Sequence, residues 1–264
     1  MNYFSHREEN KIRAVEHTAE MYRNFRTQIR QCIDNSFIFV NNINFIPTFI
    51  PIPSENKSNI KVEIVNMTTT DAIRYYSDNS NHIAVLNFAS YKNPGGMFIE
   101  GSSAQEESLC HQSFLYNVLS DDKFVSYYSY NQRNLKKGIY EDRAIYSPKV
   151  VFTYPDKNVP VDVLTCAAPN ASVMIRYNNF TREENSIALS RRISFVTDIF
   201  ASYTPDVLIL GAYGCGVFKQ NPYEVAHDFV DNLFKFPFTH VVFAIPAIDE
   251  NNDPNFMAFK TIIQ

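Results

Sequence analysis

Beyond residue 60, short apolar runs alternate with helical patterns. KVEIV (61–65), HIAVLNFA (82–89), VDVLTCAA (161–168), DVLILGAY (206–213) and HVVFAIPA (240–247) are continuous and rich in β-branched residues. Such runs suit strands covered on both faces. Between them lie segments with helix-start chemistry. Thr181 with Glu184 forms a capping-box pattern, Asn221-Pro222 with Glu224 supplies a cap and a favoured first residue, and Ser103 with Glu106 reads as a cap. After Ser103, Leu109, Leu115, Val118 and Leu119 recur at helical spacing. Ahead of this alternation, residues 7–33 predict a helix with Ile12, Val15, Met21 and Phe25 roughly on one face. Residues 120–160, which mix tyrosines, charges and prolines, are expected to form a long connection with one or two short strands, AIYSPKVVF among them. Strand and helix in alternation predict an α/β protein, a three-layer α/β/α fold with a mixed central sheet. Residues 1–60 are expected to be an N-terminal helical extension packed on a domain of residues 61–264.

Composition narrows the function. With 45% hydrophobic and 20% charged residues, the 264-residue chain can bury a sizeable core. A net charge of −4 argues against a direct basic nucleic-acid-binding surface, so any phosphate must be held another way. The first thirty residues lack the apolar run of a signal peptide, and no window approaches the ~18 apolar residues of a membrane span. The four cysteines, Cys32, Cys110, Cys166 and Cys215, stand far apart, which suits neither a zinc cage nor a disulfide framework. A reduced, cytoplasmic setting is expected; export without a classical signal would leave the same pattern.

Only seven glycines occur, and six fall in two places: Gly95, Gly96 and Gly101, then Gly211, Gly214 and Gly216. Both clusters follow a predicted strand and precede a helix. Ligands of open α/β sheets bind at such strand ends, where outward-pointing backbone N–H groups receive an anion. Two such loops could clamp a diphosphate, although tight strand-to-helix turns also use glycine for purely structural reasons. Neither loop matches G-x-G-x-x-G or a P-loop, which disfavours a nicotinamide dinucleotide fold or an NTPase. Beside the first loop, Glu106 and Glu107 open the predicted helix. The helix dipole explains one acidic residue there. It explains the second less well, because a carboxyl pair beside a diphosphate feels desolvation and repulsion that raise a carboxyl pKa toward general-acid use.

The segment NFASYKNPGGMFIEGSSAQEESLCHQSFLYNVL resembles the signature of microbial-type poly(ADP-ribose) glycohydrolases, a branch of the macrodomain superfamily: three glycines, six to eight residues, then Q-E-E. Here seven residues, Phe98 to Ala104, separate Met97 from Gln105. The resemblance runs on through VDVLTCAAPN and LILGAYGCGVFKQNPYEVA to VVFAIP, covering roughly residues 60–247. It implies a macrodomain-like fold and an ADP-ribosyl glycohydrolase that cleaves O-glycosidic ribose bonds of poly(ADP-ribose) or protein-linked ADP-ribose without metal or cofactor. By the same resemblance Glu107 is the catalytic acid, while Glu106 contacts ribose or holds the site. Gln105 completes the motif. Gly95, Gly96 and Met97 belong to the catalytic loop that wraps the diphosphate, and Gly214, Cys215, Gly216 and Val217 to a second phosphate loop. Phe218 packs near the distal ribose, and Asn87 and Ser90 stand where polar residues touch substrate.

Two positions depart from the family pattern: Met97 replaces its third glycine, and Ser90 stands where asparagine is usual. Both bear on rate and on preference for polymer over single ADP-ribose. A non-hydrolysing ADP-ribose reader therefore stands as the alternative. Other residues are expected to play lesser parts. His111 and His227 read as surface or supporting groups, and Cys215 as a small residue whose amide faces phosphate rather than a nucleophile. The tyrosines and phenylalanines read mainly as core, with Tyr127, Tyr128 and Tyr130 a candidate stacking platform for adenine. The linkage cleaved, whether to ribose, serine, an acidic side chain, arginine or a nucleobase, and the oligomeric state are left open, as is whether the ADP-ribose is carried by protein or nucleic acid.

Overall fold

In the computed structural model, residues 3–41, 60–177 and 180–264 are described. Residues 42–59, part of the expected extension, lie outside them. Seven strands form one sheet: β1 (Phe37–Val40), β2 (Lys61–Val65), β3 (Ile83–Phe88), β4 (Arg143–Thr153), β5 (Asn158–Cys166), β6 (Val207–Leu210) and β7 (His240–Ala244). Their order is β1-β4-β5-β3-β6-β7-β2. β1, β4 and β5 pair antiparallel; the pairs from β5 through β3, β6 and β7 to β2 are parallel. The sheet is mixed, as the run of strands and helices implies.

Helices cover both faces. α1 (Tyr3–Asn35), α2 (Thr69–Tyr76), α3 (Gln105–Gln112), α4 (Leu115–Leu119) and α5 (Val125–Arg133) lie on one side. α7 (Arg182–Tyr203), α8 (Pro222–Leu233) and α9 (Pro254–Ile263) lie on the other, with the short α6 (Ala171–Tyr177) after β5. Alternation along β3 shows how one strand serves both layers: Ala84 and Leu86 enter the α7–α9 core, while Ile83 and Val85 enter the α1–α5 core. Asn87 continues the second set and so faces α3. The five strands read from apolar runs all form.

Several expectations are corrected. The buried stripe of α1 is Ala14, Met21, Ile29, Cys32 and Ile33, with Phe25 against Phe114, whereas Ile12 and Val15 are exposed. Phe25 leaves helical geometry (φ −127°, ψ 23°) and re-phases the faces on either side of it. Residues 120–160 are not a long connection: they hold α5 and β4, an 11-residue strand. The segment AIYSPKVVF does form a strand, as expected, within the longer β4, which continues past a register shift after Ser147 where Pro148 and Lys149 are unpaired. The α3 cap is Ala104 with no side-chain hydrogen bond, not Ser103. The Thr181–Glu184 capping box and the Asn221 cap are present.

One buried ion cluster ties the fold to the strand ends. Arg192 on α7 is 1% exposed and donates from Nε to Asp142 (2.7 Å), from Nη1 to the Ala167 carbonyl and from Nη2 to the Ile139 carbonyl (3.2 Å). Asp142 also pairs with Arg191, and the guanidinium groups hold its carboxyl below the usual range against the opposing effect of burial. The Ala167 contact fixes the segment on which Gly214 rests. Arg192→Met leaves Asp142 buried without its main partner and is expected to cost about 3–5 kcal/mol, measured as a lower midpoint in urea unfolding.

Candidate active site

The parallel strands β3 and β6 stay in register only to Val85–Ile209. Beyond that pair β6 ends at Leu210, and at Gly211, which follows, a side chain would press on the Ala244 carbonyl and the Phe88 ring. The remaining groups of β3 need partners, since buried backbone polar atoms left unpaired are costly. Gln105 supplies them: its Nε2 donates to the Leu86 carbonyl (2.9 Å) and Thr69 Oγ1 (3.3 Å), and its Oε1 accepts from Phe88 N (2.9 Å). The first residue of α3 thus stands in for a departing strand. That anchor turns the next two residues toward the sheet.

Glu106 is 3% exposed and Glu107 5%. Glu106 Oε2 accepts from Ser90 N (2.7 Å) and Oε1 from Asn87 Nδ2 (3.2 Å), which also reaches Thr165 Oγ1 (3.2 Å). Burial pushes the Glu106 carboxyl up to about 8; the Ser90 and Asn87 donors oppose this and the Glu107 charge adds to it. The upward shift expected of the pair is therefore found on Glu106. Glu107 Oε1 accepts from Met97 N (2.8 Å). Gly96 makes that closeness possible: it has φ +64°, and a Cβ on it would lie 2.5 Å from Glu107 Oε1 and 2.9 Å from Glu106 Oε2. A Cβ on Gly95 would lie 2.7 Å from the Tyr116 ring. Met97 is outside the left-handed region, so its side chain strains nothing and points outward, 40% exposed.

At the start of α3 opens a cavity of about 450 Å³, which Gln105 reaches but Glu106, Glu107, Gly95, Gly96 and Met97 do not line. Gln105, Gly214, Gly216, Val217 and Phe218 line it, joined by Thr68, Thr69, Ala89, Ala168, Ile245, Pro246 and Asn255, which sequence reasoning missed. Most of these stand just past strand ends, a positional signal the sequence offered once the strands were known. Asn255, on α9, offered none. Gly216 has open space where a side chain would be, and among the described residues none accepts from the N–H of Gly216, Val217 or Phe218. Cys215 N is already bonded to the Ala212 carbonyl (3.1 Å), and burial pushes its thiol up to about 12, so neither its amide nor a thiolate is offered to a ligand. Ser90 Oγ accepts from Lys92 N (3.4 Å) and Asn93 N (3.2 Å), shaping the loop before Gly95, and Asn87 is wholly buried behind Glu106.

The aromatic platform suggested for adenine does not form. Tyr127 and Tyr128 are core residues, and Tyr130 lies under the Arg143 guanidinium with its hydroxyl on Glu141. His111 is half-buried edge-on to Phe98, and His227 is exposed beside Asp231.

The frame is an α/β protein whose parallel sheet parts between two strands, with two glycine loops at its carboxyl ends and a buried glutamate pair against the first of them. The family model for the catalytic domain of microbial-type poly(ADP-ribose) glycohydrolases matches residues 8–154. The chain belongs to that family and is an ADP-ribosyl glycohydrolase, a glycosidase. It is similar to the crystal structure of poly(ADP-ribose) glycohydrolase from Thermomonospora curvata (27% identity, covering 97% of this chain and 100% of that one, TM-score 0.82). The same bacterium's enzyme bound to the inhibitor ADP-HPD gives 27% identity over 97% and 99%, with a TM-score of 0.81. The Deinococcus radiodurans enzyme in complex with ADP-ribose gives 30% identity over 89% and 97%, with a TM-score of 0.75. No curated protein sequence matches the chain.

Because Glu106 takes up its proton on folding, it contributes stability below about pH 4.5 that is lost as pH rises toward 8. Glu106→Gln removes this dependence. Measured as unfolding free energy in urea, the difference between the variant and the wild type is expected to move in the variant's favour from pH 5 to pH 9, by a few kcal/mol at about 1.4 kcal/mol per pKa unit.

Proposed function

We propose that Glu107 performs the proton transfers of glycoside hydrolysis, with Glu106 as a neutral positioning partner. The observation that carries this is the shared clamp on Gly96: both carboxylates close on one glycine, yet each has a different donor. Glu106 is saturated by Ser90 and Asn87. Glu107 has one oxygen on Met97 N, and no described residue binds the other. The acid form of Glu107 gives its proton to the ribose oxygen that leaves as the C1–O bond breaks. The substrate's diphosphate, held at the N–H groups of Gly216 to Phe218, stabilises the positive charge that develops on the ribose. Glu107, now a carboxylate, takes a proton from water as the water oxygen bonds to C1, which restores the acid and releases ADP-ribose.

The substrate under this reading is ADP-ribose in a polymer or on a modified protein or nucleic acid, with Gly95, Gly96 and Met97 against the diphosphate and Phe218 beside the distal ribose. The complexes of the two bacterial relatives with ADP-ribose and ADP-HPD support it. Four buried free cysteines fit a reducing cytoplasm, and among the described residues no helix is long and apolar enough to cross a membrane. Met97 needs no left-handed backbone and carries its side chain outward, which favours turnover over a non-hydrolysing reader.

Glu107→Gln keeps the shape and the Met97 hydrogen bond but carries no transferable proton. Release of ADP-ribose from poly-ADP-ribosylated protein is expected to fall by about 10²–10⁴-fold, while calorimetric affinity for ADP-ribose stays within a few-fold. Retained turnover would remove Glu107 from the chemistry.

A further inference from the structure

Helix α1 reaches the catalytic loop from outside the sheet. Arg7 Nε donates to the Glu100 carbonyl (2.8 Å), and Asn10 Nδ2 to the Gly101 carbonyl (3.4 Å). Lys11 Nζ lies 3.6 Å from Glu100 Oε2. The fit is close: Gly101 has φ +77°, and a Cβ there would lie 2.2 Å from the Arg7 carbonyl oxygen. About two turns further along α1, His17 packs edge-on to Phe98 (6.5 Å between ring centres) while its Nε2 meets the Ser113 carbonyl (2.9 Å) after α3. Phe98 is completely buried, between His17, His111 and Tyr116.

The contacts form an unbroken path to the carboxylate. Glu100 N and Ser102 N both donate to the Met97 carbonyl (3.1 and 3.0 Å), and Gly101 N to the Phe98 carbonyl (3.0 Å). These bonds set the Met97–Gly101 turn, and Met97 N is the group that holds Glu107 Oε1. Displacing Glu100 and Gly101 therefore moves Met97 N, the one backbone donor to Glu107 among the described residues, without touching substrate.

We infer that the first turns of α1 are a positioning element of the active site, in which Arg7 and Asn10 hold the Glu100–Gly101 turn and, through it, the Met97 amide on Glu107. The inference rests on Glu107 as the acid. Neither Arg7 nor Asn10 lines the cavity.

The test compares Arg7→Ala, Asn10→Ala and the double variant with Arg7→Lys, and with Arg23→Ala on the exposed face of the same helix. Turnover of poly-ADP-ribosylated protein is measured at a temperature where melting curves show every protein folded. The double variant is expected to lose about 10–100-fold in kcat, the scale set by small misplacements of reacting groups, with a smaller change in KM. Arg7→Lys, which retains a cationic donor, is expected to recover most of the loss seen in Arg7→Ala, and Arg23→Ala to behave as wild type. If the double variant does not fold, the two single variants carry the comparison. An unchanged kcat in the folded variants, or a loss equal to that in Arg23→Ala, overturns the inference. The Glu107 reading fails separately, through turnover by Glu107→Gln whatever Arg7 does.

Discussion

A parallel sheet that parts between two strands leaves backbone groups of the longer strand without partners, and in a buried centre they must be satisfied. At β3 this is done by a single side-chain amide. Gln105 bonds Leu86 and Phe88 where β6 has turned away. The same parting opens the cavity, so the residue that repairs the sheet stands at its wall. Glu106 and Glu107 are buried because they follow Gln105 on a helix pinned at its first residue. Their burial in turn requires a glycine at 96, since any side chain there would meet both carboxylates.

The two glutamates are adjacent, yet their surroundings divide the work. Glu106 sits on a backbone N–H and an amide, deep enough that desolvation outweighs both and favours the protonated form near neutral pH. Asn87 belongs to this arrangement as the support of Glu106, since its side chain faces the α3 layer and is wholly buried. Ser90 contributes its backbone N–H to Glu106 and its hydroxyl to the turn that follows, so the shorter side chain has a local task.

The wider fold serves the two loops. Arg192 and Asp142 fix the Ala167 segment under Gly214, and α1 braces the far end of the Gly95–Gly101 loop. Bracing from both sides suits a site that must be preorganised, because donors and carboxylates lower a barrier only where they already point at the charge that develops. The N-terminal helix also contributes Met21, Ile29 and Ile33 to the core shared with α2 to α5, and β1 adds an antiparallel edge to the sheet.

The sequence by itself determined the strands covered on both faces, the two glycine loops and the Q-E-E run, because each depends on local pattern: β-branched runs, scarce glycines placed together and a spaced motif. It also indicated the caps at Thr181 and Asn221, which are local hydrogen bonds. What it left open depends on contacts between residues far apart. The face α1 buries turns on a departure from helical geometry at Phe25, and the full length of β4 depends on its irregular register against β5. That burial raises the Glu106 carboxyl, that Met97 sits outside the left-handed region and that Gln105 replaces a strand were decided only in three dimensions. Burial, backbone angle and the end of a neighbouring strand are properties of the packed molecule, and no spacing along the chain encodes them.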